Sequence, residues 1–476
     1  MTERHAHSAF KPHLALLAAL LLAGCAVGPD YHRPDAPVPA QFRAADGWKL
    51  AEPADTRAAT PWWTRFGDPQ LDELVNNIDL SNQNIRAAEA RYRQAAALLD
   101  AAQAAYFPTL GASAGFTRSQ GVSTTTSGGT TANTGAPIRN TSRLNLSASW
   151  EADLWGRIAR SGEAAGATAA ALAADLQAAR LSAQAAVVQA YLQLRINDAQ
   201  HQLLERTVAA YSRSAQITAN RFDAGVAARA DVTQAQAQLK TAQAQLIDLD
   251  IQRRQLENAI AVLTGKAPSE LAIPPAGTLP ALPPVPAVLP SALLERRPDI
   301  AAAERRVAAA NAQIGVAQAA FFPTLTLGAS GGTQGSALAQ VLSLPNSFWS
   351  LGPSLAVTVF DAGARSARKA QAFASWDETV ANYRQTVLVA LQEVEDNLAA
   401  LQTLDAEAQA QAQALAAATE SLELVNNQYL AGTVSYLNVT IAQTTALSAE
   451  RARLDIMVRR LTGSVALFKA IGGGVL

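Results

Sequence analysis

Two long segments carry one helical pattern, and each follows a pair of short segments that alternate between apolar and polar residues. From Gly156 to Phe222 and from Gly363 to Tyr429 the chain is rich in Ala, Gln, Leu, Arg and Glu and has no proline. That composition favours helix, and each segment would be ~100 Å long at ~1.5 Å per residue. Helices of this length usually belong to coiled coils. A Gly-containing turn and a return helix of ~50 Å follow each one, at 231–264 and 437–469. Further helices are predicted at 70–106 and 299–321, and these shorter helices can stack end to end beside the long ones. Each Phe-Pro-Thr-Leu motif stops a helix, because the residue before proline disfavours the α region. Period-two runs come next. Leu110, Ala112, Ala114 and Phe116 share a face in 109–117. In 143–150, Leu144, Leu146, Ala148 and Trp150 oppose Arg143, Asn145, Ser147 and Ser149. Leu325, Leu327 and Ala329 align in 324–330, and Trp349, Leu351, Leu355, Val357 and Val359 in 349–359. Each run is about the ~9–11 residues of a membrane strand, apolar toward lipid and polar toward a lumen. Arg143 and Asn145 are therefore candidate lumen residues. The alternative is a set of soluble hairpins capping a helical bundle. The intervening stretches 118–142 and 331–347 are Gly/Ser/Thr-rich and read as exposed loops, and Trp150 and Trp155 suit an interfacial belt.

The chain is also an internal repeat. Ala102-Gln-Ala-Ala-Tyr-Phe-Pro-Thr-Leu110 recurs 215 residues later as Ala317-Gln-Ala-Ala-Phe-Phe-Pro-Thr-Leu325. Asn220-Arg-Phe-Asp-Ala-Gly225 recurs 207 residues later as Asn427-Gln-Tyr-Leu-Ala-Gly432, and Gly156 and Gly363 are again 207 apart. The eight-residue difference falls in a Gly/Ser/Thr-rich stretch, where a loop can absorb it. The two long helical segments are equal in length, as helices spanning one distance side by side must be. Four strands cannot close a membrane barrel, since the smallest need about eight. Spanning strands therefore require an oligomer, and three copies favour a lumen wide enough for a solute.

Composition narrows the chemistry. Hydrophobic residues are 49% of the 476, with Ala the commonest of them, while aromatics are 6%, which suits closely packed long helices. A net charge of −1 gives no polyelectrolyte footprint, so no nucleic-acid partner is expected. One cysteine excludes an internal disulfide, and only His32 and His201 lie beyond the first 25 residues, which leaves little for a metal or Cys/His site. No cofactor is expected. Gly111–Gly115 and Gly328–Gly332 both match G-x-S-x-G, but that motif needs a nucleophile elbow and a later histidine, and none follows Ser330. The Asp and Glu residues on the helices read as solvated faces. No later segment has 18 consecutive strongly apolar residues, so a bilayer span must come from a β-barrel. The first residues read as a signal peptide, with Arg4 and Lys11 before the apolar run Leu14–Leu22. Leu22-Ala-Gly-Cys25 resembles the bacterial lipoprotein cleavage box, which implies lipidation at Cys25. Ala26 in the next position favours the outer membrane by the same resemblance.

Several blocks resemble the TolC/OprM family of outer-membrane efflux channels, in its NodT-type lipoprotein group. They are Cys25-Ala-Val-Gly-Pro-Asp-Tyr31 with Arg33-Pro34, Trp62-Trp-Thr-Arg-Phe-Gly-Asp-Pro69, and Leu294-Glu-Arg-Arg-Pro-Asp-Ile300 with Ala303-Glu304, Ile314-Gly315 and Phe322-Pro323. Tyr429-Leu-Ala-Gly-Thr433 fits the family's second helical turn. The resemblance covers nearly all of the mature chain. It implies an α+β membrane protein: a long antiparallel α-helical coiled-coil barrel, with four strands per chain contributing to a trimeric 12-stranded transmembrane β-barrel. The expected layout is a lipoprotein signal peptide (1–24), an N-terminal equatorial segment (25–69), a first repeat (70–265), a Pro-rich equatorial linker (266–298), a second repeat (299–469) and a C-terminal tail (470–476). Implied partners are two further copies, outer-membrane lipid, a periplasmic adaptor and an inner-membrane transporter of the resistance-nodulation-division class. The chain would be lipid-anchored in the outer membrane with a large periplasmic portion. It would be a passive gated conduit for drugs or other small toxic compounds, not an enzyme. The turns at Gly225 and Val226, and at Gly432, Thr433 and Val434, would meet the adaptor at the closed end. Both glycines also suit helix C-caps. Family members often ring the aperture with acids where this chain has Asn438 and Ile441. Ile441 either makes an apolar constriction or packs within the coiled coil. The rival reading is a lipid-anchored periplasmic coiled-coil adaptor or scaffold without a pore, which should have one helical hairpin rather than a duplicated pattern.

Overall fold

The computed structural model describes residues 27–36, 39, 61–127, 130–135, 137–277, 279–284, 296–337 and 344–473. Its helices come in matched pairs. The long helices α4 (Arg157–Asp223) and α7 (Ala364–Leu430) have 67 residues each. The return helices α5 (Arg229–Leu263) and α8 (Tyr436–Ala470) have 35 each. Helices α3 (Gln83–Ala104) and α6 (Pro298–Ala319), which lead into the strands, have 22 each. No helix among the described residues is long and apolar enough to cross a membrane.

Contacts divide the chain into two units, to both of which α3, α4, α6 and α7 contribute residues. The first comprises Arg93–Ala171, Glu304–Ala381 and the described part of Met1–Pro34. It contains a four-stranded antiparallel sheet: β1 (Thr109–Ser119), β4 (Arg139–Ala152), β5 (Thr324–Gly335) and β6 (Ser347–Ala356), in the order β1-β4-β5-β6. Leu110, Leu146 and Leu351 lie exposed on one face, as the alternation requires. The sheet differs from the expected strands at its ends. β4 begins four residues early, and β6 stops at Ala356, so that Val357 and Val359 lie beyond the last residue pair. The expected loop 118–142 holds a separate hairpin, β2 (Val122–Ser127) and β3 (Thr130–Gly135). Its Thr residues favour strand, but with Ser, Asn and Gly between them they give no apolar alternation to read. At the base of the sheet, Gly156 and Gly363 take positive φ of 75° and 89°. Asp153 accepts from the Ala159 amide at 2.7 Å, and Asp361 from those of Gly363 and Arg365 at 3.1 Å. Each long helix thus starts on a carboxylate that satisfies its free N–H groups.

The second unit comprises Leu172–Ala303, Asn382–Leu476 and Asp35–Tyr92, in their described parts. Its core includes Trp62, Phe66, Tyr191, Tyr383 and Phe468, all nearly or fully buried. The helix expected from residue 70 is broken into α1 (Pro69–Asn76), α2 (Ile78–Ser81) and α3. The break at Asn82 has a local cause. The side-chain oxygen of Asn82 accepts from the amides of Asn84 (2.9 Å) and Ile85 (3.1 Å), and its amide donates to the Leu263 carbonyl at 2.7 Å. The Ser81 hydroxyl donates to the Thr264 carbonyl at 2.6 Å. The broken segment therefore starts one helix and satisfies the end of another. Gly265, at φ +69°, closes α5, and a Cβ there would lie 2.1 Å from the Ser81 carbonyl oxygen.

Candidate functional site

Both helical turns use one backbone solution. After α4, the Val226 amide donates to the Arg221 carbonyl (2.9 Å) and the Gly225 amide to that of Phe222 (2.8 Å). After α7, the Thr433 amide donates to Gln428 and the Gly432 amide to Tyr429, both at 3.0 Å. Gly225 and Gly432 have φ of 75° and 76°. This is a Schellman-type cap, in which glycine takes the left-handed position without a Cβ penalty. Val226 and Thr433 are exposed, whereas Val434 packs partly against the cluster of Ala235, Tyr429, Tyr436 and Val439.

The two turns are tied to each other. Arg221, near the end of α4, donates to the carbonyls of Tyr429 (3.2 Å) and Leu430 (3.4 Å) and lies 4.8 Å over the Tyr429 ring. A cation is favourable at this helix C-terminus, where carbonyls are otherwise free. Tyr429 and Tyr436 meet edge to face at 5.5 Å. Their hydroxyls share hydrogen bonds with Thr218 (3.3 Å) and Ser214 (3.1 Å). Burial pushes the Tyr436 phenol above its ordinary pKa, so it stays protonated at neutral pH. The next turn of α8 packs through Tyr436, Val439, Thr440 and Gln443. Asn438 and Ile441 lie off that face, and Ile441 is 57% exposed. Ile441 is thus not packed inside its own chain.

In the sheet, the guanidinium of Arg143 donates to the Gln334 side-chain oxygen at 3.2 and 2.7 Å and lies 5.3 Å over the Phe348 ring. Asn145 pairs with Ser113 on one side and Gly332 on the other. Both residues are on the polar face. Their neighbour Ser330 shares a 2.8 Å hydrogen bond with Ser350 and sits within the β5 ladder, not at a strand–helix elbow. Among the described residues no group of three or more His, Cys, Asp or Glu side chains is placed to hold a metal.

Comparison with known proteins decides the family. Residues 74–266 and 289–473, both repeats, match the outer membrane efflux protein family. The chain belongs to that family. It is 32% identical over 460 residues to the probable efflux pump outer membrane protein TtgC of Pseudomonas putida, covering 96% of this chain and 94% of that one. It is 30% identical over 465 residues to the cation efflux system protein CusC of Escherichia coli, covering 97% and 98%. Its fold matches the outer-membrane channel OprN with a TM-score of 0.86 at 34% identity, over 94% of this chain and 99% of that one. The chain is the outer-membrane channel component of an efflux pump, with a large helical periplasmic part, and it is not an enzyme. The match across both repeats disposes of the single-hairpin adaptor reading.

The structure gives physical reasons for the efflux-family motifs. Arg297 is buried, donates to Asp299 (3.0 and 2.7 Å) and Glu393 (2.6 Å), and caps the end of α8 at the Ala470 carbonyl (3.0 Å). Burial alone would raise the Asp299 carboxyl, but the Arg297 guanidinium outweighs it and holds the pKa below the usual range. Gly315 admits a strap formed by residues 27–34. In that strap, the Val27 amide donates to the Trp155 carbonyl (3.1 Å), Asp30 pairs with buried Arg160 (2.9 Å), and Asn311 donates to the Pro29 carbonyl (2.9 Å). A Cβ on Gly315 would lie 2.8 Å from Arg160 Cγ and 3.1 Å from the Val27 oxygen. Gly315→Ala, which on an exposed helix would stabilise by up to ~1 kcal/mol, is therefore expected to loosen the strap by about 1–3 kcal/mol. Hydrogen exchange at the Val27 amide should then quicken at least several-fold, and an unchanged rate would count against the strap being seated by that glycine. Cys25, the lipidation candidate, and the expected signal peptide lie outside the described residues.

One expectation needs correcting. The helix carboxylates do not all face solvent: Asp198 is 2% exposed and lies among Arg195, Arg253 and the Ala276 amide at 2.9–3.3 Å. Around it, Arg195 also reaches Tyr191 (2.9 Å), Gln70 (2.5 Å) and the Pro274 carbonyl (2.9 Å), and Tyr191 donates to Asp68 at 2.6 Å. This hub joins α1, α4, α5 and the linker, and no local sequence pattern announces it.

Proposed function

We propose that three copies of this chain close one twelve-stranded outer-membrane barrel continued by a helical tunnel, forming a passive, gated exit for drugs or other small toxic compounds. The observation that carries this reading is the sheet itself: four strands, apolar on one face and polar on the other, with β1 and β6 left as edges. Unpaired edge groups cost several kcal/mol each in hydrocarbon, so a spanning sheet of four strands must be completed by other copies. Arg143 and Asn145 face the lumen. Cys25 carries the lipid anchor, two residues before the strap that begins at Val27.

The turns at Gly225, Val226, Gly432, Thr433 and Val434 meet a periplasmic adaptor, which joins the channel to an inner-membrane transporter of the resistance-nodulation-division class. Support comes from the exposure of Val226 and Thr433 beside a rigid, cross-tied core. Asn438 and Ile441 narrow the aperture on the face that α8 does not use within its own chain. The test is the subunit count of the protein purified in mild detergent, with planar-bilayer recording and drug susceptibility of a deletion strain. A trimer that conducts, and a strain that gains susceptibility, are expected. A monomer without conductance would overturn the reading.

A further inference from the structure

We infer that the seam between two copies has a defined register, with Val359, Val357 and Leu355 of β6 and its extension lying opposite Leu110, Ala112 and Ala114 of β1 in a second copy. The inference rests on the oligomer proposed above and adds the residue pairing by which it closes.

The repeat fixes which residues of the two halves are equivalent. Thr109 and Leu110 correspond to Thr324 and Leu325, 215 residues on. Thr109 pairs with Ser149, and Thr324 pairs with Ala356. Ser149 and Ala356 are therefore equivalent, 207 residues apart. That is the same offset that separates Gly156 from Gly363 in the sequence. Ladder and sequence thus give one alignment of β4 with β6 by independent routes.

Between the repeats the chain already contains the seam in question. β4 pairs with β5 through Ala152↔Leu325, Trp150↔Leu327 and Ala148↔Ala329. Carrying each residue to its equivalent in the other repeat turns these into Val359↔Leu110, Val357↔Ala112 and Leu355↔Ala114. No single chain can make those contacts, because β1 and β6 are opposite edges of its sheet. A neighbouring copy can.

Three features fit. The pairing keeps the apolar faces in phase, whereas a one-residue slip would turn one face over. It supplies backbone partners where the chain has no strand of its own, on the outer side of β1 and beside residues 357–359, which lie beyond the last β5–β6 pair. It also explains why β6 stops short. Its equivalent β4 runs to Ala152, matching Val359, because β5 lies beside it there, whereas the last pair between β5 and β6 is Thr324↔Ala356.

The test uses the full chain, in which Cys25 is the only native cysteine. Two double variants, Val357→Cys with Ala112→Cys and Thr358→Cys with Gly111→Cys, sample both faces. Directly opposed pairs alternate between closer and wider spacing, so one of the two suits a disulfide better. Oxidation should give reductant-sensitive dimer and trimer bands at several-fold higher yield than the shifted pairs Val357→Cys with Ala114→Cys and Val357→Cys with Leu110→Cys. In the unmodified oligomer, amides 357–359 should be protected from hydrogen exchange as strongly as 150–152. Equal or better cross-linking of a shifted pair, or free exchange at 357–359, overturns the register while a measured trimer leaves the oligomer standing. Absence of any oligomer by subunit count overturns both.

Discussion

Asp198→Ala is expected to destabilise the helical unit by about 3–5 kcal/mol, the usual cost of removing one partner from a buried ion pair. The carboxylate accepts from Arg195 at 3.1 Å, Arg253 at 2.9 Å and the Ala276 amide at 3.3 Å. Its loss leaves Arg195, only 2% exposed, without a carboxylate partner, while Arg253 keeps Glu257 at 2.7 Å. Arg195 would keep Gln70, Tyr191 and the Pro274 carbonyl, but these are neutral acceptors and leave its charge uncompensated. The damage should spread, because the hub holds the linker segment 273–276 and the start of α1 against α4 and α5. Asp198→Asn, which keeps an acceptor but not the charge, should fall between wild type and the alanine variant. Arg206→Ala is the control, since Arg206 makes a solvent-exposed 3.5 Å pair with Glu450 and such pairs contribute about 0–1 kcal/mol. Thermal or denaturant unfolding followed by helical circular dichroism gives the comparison. If Asp198→Ala and Arg206→Ala shift the transition equally, the hub is not a principal support of the unit.

The contrast between this hub and the helices shows what the sequence could tell. The lengths of the long and return helices were legible because a periodic structure converts residue count into distance: matching landmarks 207 apart imply matching helices, and these pairs come out at 67 and 35 residues. Strand faces were legible for the same reason, since a period of two is local. The hub was not. Tyr191, Arg195 and Asp198 share one face of α4, but Asp68, Arg253 and the linker segment that complete the hub come from distant parts of the chain, and each alone looks like an ordinary polar position. The hairpin β2–β3 escaped because Thr and Ser on both faces give no alternation. The strap was half legible. Gly28 and Gly315 stood in recognisable motifs, but only their approach, with a Cβ on Gly28 falling 2.5 Å from Gly315 Cα, shows why neither admits a side chain. The break at Asn82 is hidden by helical composition on both sides, since only the capping of the Asn84 and Ile85 amides by its side-chain oxygen marks it.

The largest functional change is expected from Ile441→Asp. In the chain itself Ile441 contributes little to packing: α8 is held through Tyr436, Val439, Thr440 and Gln443, and Ile441 is 57% exposed beside Leu437 and Asn438. Three copies arranged about an axis, as proposed, would present three such side chains at one level. An apolar ring narrow enough to shed water blocks ions without any plug. Three carboxylates in its place would rehydrate the constriction and attract cations. Single-channel conductance in a planar bilayer should rise several-fold, and the reversal potential in a salt gradient should move toward cation selectivity. Asn438→Asp, one turn earlier, should change selectivity in the same direction but raise conductance less, because it replaces a residue that is already polar. Packing against a neighbouring copy predicts something different: Ile441→Asp would then weaken the oligomer and leave the conductance of surviving trimers as it was. Intact trimers with unchanged conductance and selectivity would remove Ile441 from the pore.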